Sequence, residues 1–140
     1  MSAEHFLDTN ILIYLFDRTD EAKSRSATLL VERSLADGSG CISWQVAQES
    51  INVMTRKLAA TPEDAKRFLD AVLQPLWLVY PSVPLYRSAL DVRSRFRFSL
   101  YDSLIVASAL EAGCRTLFSE DMQDGQTIGK LTIRNPLNGD

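Results

Sequence analysis

Apolar and polar positions change along this chain in short blocks that predict strands separated by helices. Buried strands are predicted at 6–7, 41–43, 77–80 and 116–118, with a candidate fifth strand at 131–133. Helices are predicted at 11–16, 21–36, 44–58, 62–74, 85–97 and 101–112. Because strands joined through helices need crossover connections, the pattern predicts an α/β sandwich in which helices cover both faces of a short, mainly parallel sheet of four or five strands.

Several of the predicted helices carry recognisable end signals. Asn10 and Asp20 are expected to cap the first two helices. Thr61, with a proline and two acids after it, is a strong helix start, because proline suits the first turn and acids favour the positive end of the helix dipole. Pro81 and Pro84 are expected to bracket a turn before the next helix.

Length and composition predict one soluble domain spanning 1–140. The 140 residues contain no repeat, low-complexity segment or linker, and the hydrophobic share of 46% is ordinary for a globular protein. No apolar run approaches the ~20 residues that cross a bilayer, and the N-terminus lacks a signal-peptide pattern, so we expect a cytoplasmic location without membrane contact. Cys41 and Cys114 lack metal-type spacing and are expected to be reduced, packed thiols.

Four acids lie where a parallel sheet would bring them to one edge. Asp8 ends the first strand and Asp121 follows the fourth, so both belong at the carboxyl ends of strands, where such sheets carry their functional crevice. Asp102 heads a helix face that is otherwise apolar, and Glu49 lies among valines on an apolar strip of its own helix. We therefore expect the four carboxylates to converge.

Each acid also has an ordinary structural interpretation. Asp8 is suited to cap the following helix, and Asp102 to form a capping box with Ser99. Glu49 is compatible with a partly exposed helix position, and Asp121 with a solvated turn. Four independent structural roles would all have to direct carboxylates to one end of one sheet, which favours a shared site.

Carboxylates gathered in one crevice repel each other, by roughly 4 kcal/mol for two charges 4 Å apart at an effective dielectric constant near 20. Such a cluster either raises the pKa values of its members or holds a cation. Oxygen ligands of this kind suit Mg²⁺ or Mn²⁺, and such an ion orients a phosphate and lowers the pKa of a bound water. Setting aside four acids as ligands also changes the net charge from −3 to +1, which permits an RNA substrate.

The segments that carry these acids resemble the PIN domain and, within it, the VapC-type toxins of bacterial toxin–antitoxin pairs. The matching segments are Phe-Leu-Asp-Thr-Asn and its continuation at 6–14, the helix bearing Glu49, 101–109 and 117–121, and the ending at 131–137 is similar to the usual tail of this group. The resemblance implies a PIN-like three-layer sandwich and a Mg²⁺- or Mn²⁺-dependent endoribonuclease. It also implies a homodimer, and a VapB-like antitoxin whose C-terminal segment covers or enters the site.

The resemblance assigns roles to the four acids. Asp8, Glu49 and Asp102 match the metal-coordinating acids of the family, and Asp121 matches a fourth acid that often acts through water. The products it implies are a 5′-phosphate and a 3′-hydroxyl.

The resemblance also covers polar residues near the acids. Thr9, Asn10 and Ser119 match accessory positions that orient ligands. Glu120 and Asp124 are alternatives to the fourth acid, since either has the chain position to reach the crevice.

The inventory of other residues limits the mechanism. The chain has one histidine, His5, so an acid–base ribonuclease with two histidines cannot be built, and we expect metal-activated water to attack the phosphodiester in line. Arg93, Arg95 and Arg97 are candidates for RNA contacts just before the helix of Asp102. A solvated helix end that complements its dipole explains these arginines at least as well.

Two alternative functions stay open. A phospho-accepting receiver domain is also a small α/β domain with acids and Mg²⁺, but it usually shows paired acids after its first strand and a lysine near the site. Here Asp8 stands alone, and Lys130 follows no strand pattern. A housekeeping PIN nuclease without an antitoxin would carry the same acids, whereas nothing in the sequence suggests a decayed, non-catalytic scaffold.

Overall fold

A six-stranded sheet organises residues 3–137, the part of the chain that the computed structural model describes. The strands are β1 (His5–Leu7), β2 (Gly40–Ser43), β3 (Trp77–Val79), β4 (Thr116–Phe118), β5 (Thr127–Ile128) and β6 (Leu131–Arg134). Their order across the sheet is β3-β2-β1-β4-β6-β5, and every neighbouring pair is parallel except β5 with β6. The predicted mainly parallel sheet is confirmed, with one strand more than expected.

Helices flank this sheet as the sequence predicted. They are α1 (Thr9–Ile13), α2 (Glu21–Asp37), α3 (Trp44–Arg56), α4 (Pro62–Phe68), α5 (Gln74–Leu76), α6 (Val83–Phe96) and α7 (Leu100–Glu111). Helix α7 is the most enclosed of them, because every residue from 103 to 109 is buried. Within residues 3–137, no helix is both long and apolar enough to cross a membrane.

The core is built from strand residues that are buried on both faces of the sheet. Phe6 and Leu7 of β1, Ile42 of β2, Leu117 of β4 and Ile133 of β6 have no exposed surface. Burying one side chain of this size contributes about 1.5–3 kcal/mol to the stability of the fold. These side chains therefore stabilise the central strands, whose carboxyl ends lie at the same edge of the sheet. The pairing is close at that edge, since the Asp8 N–H donates to the carbonyl of Phe118 at 3.0 Å.

The first helix differs from the prediction at both ends. It spans Thr9–Ile13 rather than 11–16, and its cap is Asp8 rather than Asn10. The Asp8 carboxylate accepts a hydrogen bond from the Thr9 N–H at 2.8 Å. The Asn10 side chain is instead used for contacts with other segments, so the prediction mistook the second helical residue for the cap.

Two further helix boundaries correct the sequence interpretation. Ser82 caps α6, and Pro84 lies inside the first turn of that helix, where its missing N–H would have had no partner. The single helix predicted for 62–74 is interrupted by a π-helical turn at Leu69–Leu73 before α5 begins. The capping box at Thr61 and the cap at Asp20 are as predicted.

The cysteines are free and buried, as predicted. The fold nevertheless brings two residues that are far apart in sequence together, because the sulfur atoms of Cys41 and Cys114 lie 3.7 Å apart.

Strand β5 was not predicted because a strand of two residues is too short to show a period.

Candidate active site

The four acids selected from the sequence line one cavity of about 400 Å³ at the carboxyl edge of the sheet. Asp8 follows β1, Glu49 lies in α3, Asp102 lies in the first turn of α7, and Asp121 follows β4. The side chain of Asp8 is buried, those of Glu49 and Asp102 are half-buried, and that of Asp121 is exposed. We refer to this space as the carboxylate cavity.

Asp8 is the most strongly held of the four acids. One carboxylate oxygen accepts from the Thr9 N–H at 2.8 Å, and the other accepts from the Ser119 hydroxyl at 2.8 Å and from the Asn10 side-chain amide at 3.3 Å. Asp8 therefore does cap α1, which was its structural interpretation, and it lines the cavity as well. Both roles are compatible because the cap uses only one of its oxygens.

The first turn of α1 also positions acids that come from other segments. The Thr9 hydroxyl donates to Glu49 at 2.7 Å, which ties α3 to α1. The Asn10 amide donates to Asp121 at 3.2 Å, and its carbonyl oxygen accepts from the Glu120 N–H at 3.0 Å. Two adjacent polar residues thus connect the segments that carry the acids.

The two alternative fourth acids have other partners. Glu120 lines the carboxylate cavity, but its carboxylate accepts from the Tyr14 hydroxyl at 2.6 Å and forms an ion pair with Lys23. Burial acts to raise the pKa of Glu120, yet the hydrogen bonds from Lys23 and Tyr14 outweigh it and lower that pKa. Asp124 is not part of the cavity lining and accepts from the Asn135 N–H at 2.9 Å.

Two acids of the cavity have raised pKa values, so their negatively charged forms are disfavoured there. Burial raises the pKa of Asp8 to about 6, helped by the charges of Asp102 and Glu49 and opposed by the hydrogen bonds from Ser119 and Thr9. The pKa of Asp102 is also raised, first by burial and then by the charges of Asp121 and Glu49. The acids are therefore close enough to repel one another.

Asp102 occupies the predicted helix start. The Ser99 hydroxyl accepts from the Asp102 N–H at 3.1 Å, which is one half of the capping box considered from the sequence. The Asp102 side chain also lines the cavity, and a hydrogen bond with Ser99 acts to lower its pKa against the effects that raise it.

The donor chemistry of the cavity fits a hard divalent cation, although the acids do not form a finished ion site. Carboxylate oxygens are the ligands that Mg²⁺ and Mn²⁺ prefer, and a cation would offset both the burial and the repulsion that raise the pKa of Asp8. No three His, Cys, Asp or Glu side chains among residues 3–137 are arranged so that they would hold one ion as they stand. Binding would thus require side-chain rotation, which the half-buried Glu49 and Asp102 and the exposed Asp121 allow.

Sequence reasoning missed several residues that line the cavity. These residues are Ile13, Tyr14, Asp17 and Val53. A signal was available, since positions 10, 13, 14 and 17 have the i, i+3, i+4, i+7 spacing of one helical face.

The three arginines proposed from the sequence lie elsewhere. Arg93 and Arg97 line a separate cavity of about 460 Å³, and Arg95 lies over the ring of Phe96, with 5.5 Å between its guanidinium carbon and the ring centroid. The carboxylate cavity does not include any of them in its lining.

Comparison with known proteins identifies the family of this chain. A family model described as the PIN domain matches residues 5–123. A search among curated proteins gave no significant match.

Solved structures share the fold at low sequence identity. The structure of FitAcB from Neisseria gonorrhoeae superposes with a TM-score of 0.68 at 17% identity over 96% of this chain and 99% of that chain. A toxin–antitoxin complex from Klebsiella pneumoniae gives 0.68 at 20% identity, covering 95% and 98%. VapC20 from Mycobacterium tuberculosis, described as a sarcin-ricin loop cleaving toxin, gives 0.62 at 18% identity, covering 84% and 92%.

Removing the charge of Asp8 should change how stability depends on pH. Because the pKa of Asp8 is about 6 in the folded protein and about 3.9 in an unfolded chain, the folded state binds more protons between these values. Ionisation of Asp8 therefore costs stability as pH rises from about 4 to about 6. In EDTA, the free energy of unfolding of wild type should fall relative to that of Asp8→Asn by about 2–3 kcal/mol across this range.

Urea unfolding at a series of pH values measures this difference. Asp70→Asn removes an exposed acid and serves as the control, for which the difference from wild type should stay flat. If the free energy of unfolding depends on pH in the same way for wild type and Asp8→Asn, the pKa of Asp8 is not raised in the folded protein.

Proposed function

Because this chain belongs to the PIN domain family, we propose that it is a metal-dependent endoribonuclease whose active site is the carboxylate cavity. The observation that carries this proposal is the convergence of Asp8, Glu49, Asp102 and Asp121, which come from four separate segments, on one cavity. Acids held together against their mutual repulsion, with raised pKa values at Asp8 and Asp102, are typical of functional sites.

The residues divide into ligands and orienting groups. Asp8, Glu49 and Asp102 hold a Mg²⁺ or Mn²⁺ ion, with Asp121 as the fourth acid. When bound, the ion polarises the phosphodiester and lowers the pKa of a water molecule. The hydrogen bonds from Thr9 to Glu49 and from Ser119 to Asp8 keep these carboxylates oriented toward the cavity.

Asp121 and Asn10 work as a pair in this proposal. The Asn10 amide holds the exposed Asp121 carboxylate in place, and a carboxylate there can position a water or a second ion.

His5 takes no part in the proposed mechanism, because its ring forms a hydrogen bond with Ser34 at 2.8 Å and lies at the start of β1, away from the carboxyl edge of the sheet. Acid–base cleavage by histidine is therefore not the mechanism.

We further propose that the protein is the toxin of a type II toxin–antitoxin pair, acting as a homodimer in the cytoplasm and held inactive by a VapB-like antitoxin. The support is the similarity in fold to solved toxin–antitoxin complexes over nearly the whole chain, which also suits a single domain spanning 1–140.

A receiver domain is less well supported, because Lys130 does not line the carboxylate cavity.

Replacing the proposed ligands tests the enzymatic part. Asp8→Asn, Glu49→Gln and Asp102→Asn should each lower kcat for RNA cleavage by at least about 100-fold, since removing a ligand costs more than the 10–100-fold loss typical of its supporting residues. EDTA should abolish wild-type cleavage, and Mg²⁺ or Mn²⁺ should restore it.

The matched control is Asp70→Asn, which removes an exposed acid outside the cavity and should cleave like wild type. Cleavage is measured on a labelled RNA, with analysis of the product ends. Full activity in excess EDTA, or a 2′,3′-cyclic phosphate product, would contradict the proposal.

The identity of the fourth acid is tested by two neighbouring substitutions. Asp121→Asn should lower kcat more than Glu120→Gln does, because Glu120 is already paired with Lys23 and Tyr14. Mn²⁺ binding by calorimetry provides a second readout. Equal losses of activity and of Mn²⁺ affinity in both variants would mean that Glu120 shares the role.

The toxin assignment is tested in cells. Expression of wild type should arrest growth, Asp8→Asn should not, and co-expression of a short DNA-binding protein encoded in the adjacent reading frame should restore growth and co-purify with the chain. A chain that cleaves RNA in vitro but leaves growth unaffected would indicate a housekeeping nuclease. Light scattering on the purified chain measures whether its mass is that of two copies.

A further inference from the structure

The cavity at the C-terminal end of α6 has a composition opposite to that of the carboxylate cavity. Its volume is about 460 Å³, and it is lined by Leu90, Arg93, Ser94, Arg97 and Phe98, with two cations, one aromatic ring and no acid. The carboxylate cavity is lined by six acids and by no lysine or arginine. A polyanionic substrate therefore needs cationic contacts that the carboxylate cavity itself does not supply.

Helix geometry separates the three arginines into two groups. Arg93 and Arg97 are four positions apart and share one face, whereas Arg95 is rotated about 200° from Arg93 and packs on Phe96. Arg93 and Arg97 are both exposed, and neither is in an ion pair with any residue in the described range 3–137. Their charges are free to meet an anion.

Arg97 adopts a backbone conformation that arginine ordinarily avoids. It ends α6 with φ 62° and ψ 31°, in the left-handed region, whereas α2 ends with a glycine, Gly38, at φ 70°. The left-handed conformation costs a residue with a side chain about 1–2 kcal/mol. Glycine would fit this helix end without strain, so a substitution at Arg97 can separate the contribution of the side chain from that of the backbone.

This cavity is close to the proposed active site along the chain. Phe98 precedes Asp102 by four residues, and four residues span at most about 14 Å even when fully extended. Between them Ser99 caps α7, so the connection is short and fixed. The short connection therefore keeps Phe98 near the start of the helix that carries Asp102.

We propose that Arg93, Arg97 and Phe98 form a nucleotide-binding subsite for single-stranded RNA. Each guanidinium group contacts one phosphate of the strand. The half-buried ring of Phe98, which lies nearly parallel to that of Phe96 with 6.1 Å between centroids, stacks on a base. This inference rests on the proposed function. Favourable interaction with the helix dipole accounts for arginines in the last turn, but not for their shared cavity with an aromatic ring.

RNA binding without cleavage tests the subsite directly. A short fluorescein-labelled single-stranded RNA of mixed sequence is titrated with wild type in EDTA at several salt concentrations. Arg93→Ala and Arg97→Ala should each lower affinity and reduce the slope of log K against log salt by about 0.7, the value for one phosphate contact with a single strand. Phe98→Leu, which keeps an apolar side chain, should lower affinity by about fivefold or more.

The matched controls are Arg95→Ala and Arg87→Ala on the same helix. Each removes one positive charge from α6 but lies outside the cavity, so both should leave affinity and salt slope close to those of wild type. Equal losses in these controls would mean that net charge, and not a subsite, attracts the RNA.

Arg97→Gly separates a binding role from a structural one. Glycine relieves the left-handed backbone, so Tm should stay the same or rise by about 1–3 °C, while RNA affinity falls as in Arg97→Ala. In steady-state cleavage the same variant should raise KM and leave kcat within about twofold. A variant with lower Tm and unchanged RNA affinity would overturn the subsite.

The outcomes distinguish this inference from the proposed function. If wild type cleaves RNA and the variants at 93, 97 and 98 bind it like the controls, the subsite is wrong and the nuclease assignment stands. If wild type neither binds nor cleaves RNA, both fail together.

Discussion

Parallel pairing of β1 with β4 places the carboxylate of Asp8 against the hydroxyl of Ser119, and the other contacts of the site depend on that arrangement. The two residues are separated by more than a hundred positions and meet because both follow buried strands whose carboxyl ends lie side by side. Asp8 then fixes the start of α1. Through α1, its position determines where Thr9 and Asn10 contact Glu49 and Asp121.

The same arrangement concentrates negatively charged side chains in a partly buried cavity. The donors to Asp8 are neutral groups of Thr9, Asn10 and Ser119, whereas the ammonium group of Lys23 pairs with Glu120. Neutral donors orient a carboxylate without neutralising it. Burial therefore keeps the pKa of Asp8 raised despite these hydrogen bonds, and a divalent cation in the cavity would offset that effect.

Two acids of this chain lie both at a helix start and in the lining of the carboxylate cavity. Asp8 caps α1 and lines the cavity, and Asp102 receives a cap from Ser99 through its N–H while its carboxylate lines the cavity. A helix start exposes backbone N–H groups and favours negative charge, so an acid placed there is stabilised by the helix as well as available to a ligand. A capping role and a place in the cavity lining are therefore compatible at these positions.

The sequence by itself predicted the alternation of strands and helices along the chain, the mainly parallel sheet and four acids that line one cavity, because periodicity and strand ends are local signals. It misplaced the start of α1 and missed β5, since a five-residue helix and a two-residue strand carry too little local information. A continuous helix for 62–74 was wrong for the same reason, as nothing in its residues announces the π-helical turn.

Only the tertiary structure decided which side chains share a space. Glu120 has the chain position of a site acid, and its pairing with Lys23 and Tyr14 appears only when α2 packs near the end of β4. Likewise, three alternating arginines look equivalent in sequence, and the helix divides them between a cavity and the ring of Phe96. Contacts between distant segments depend on packing, and packing is not encoded in any local pattern of residues.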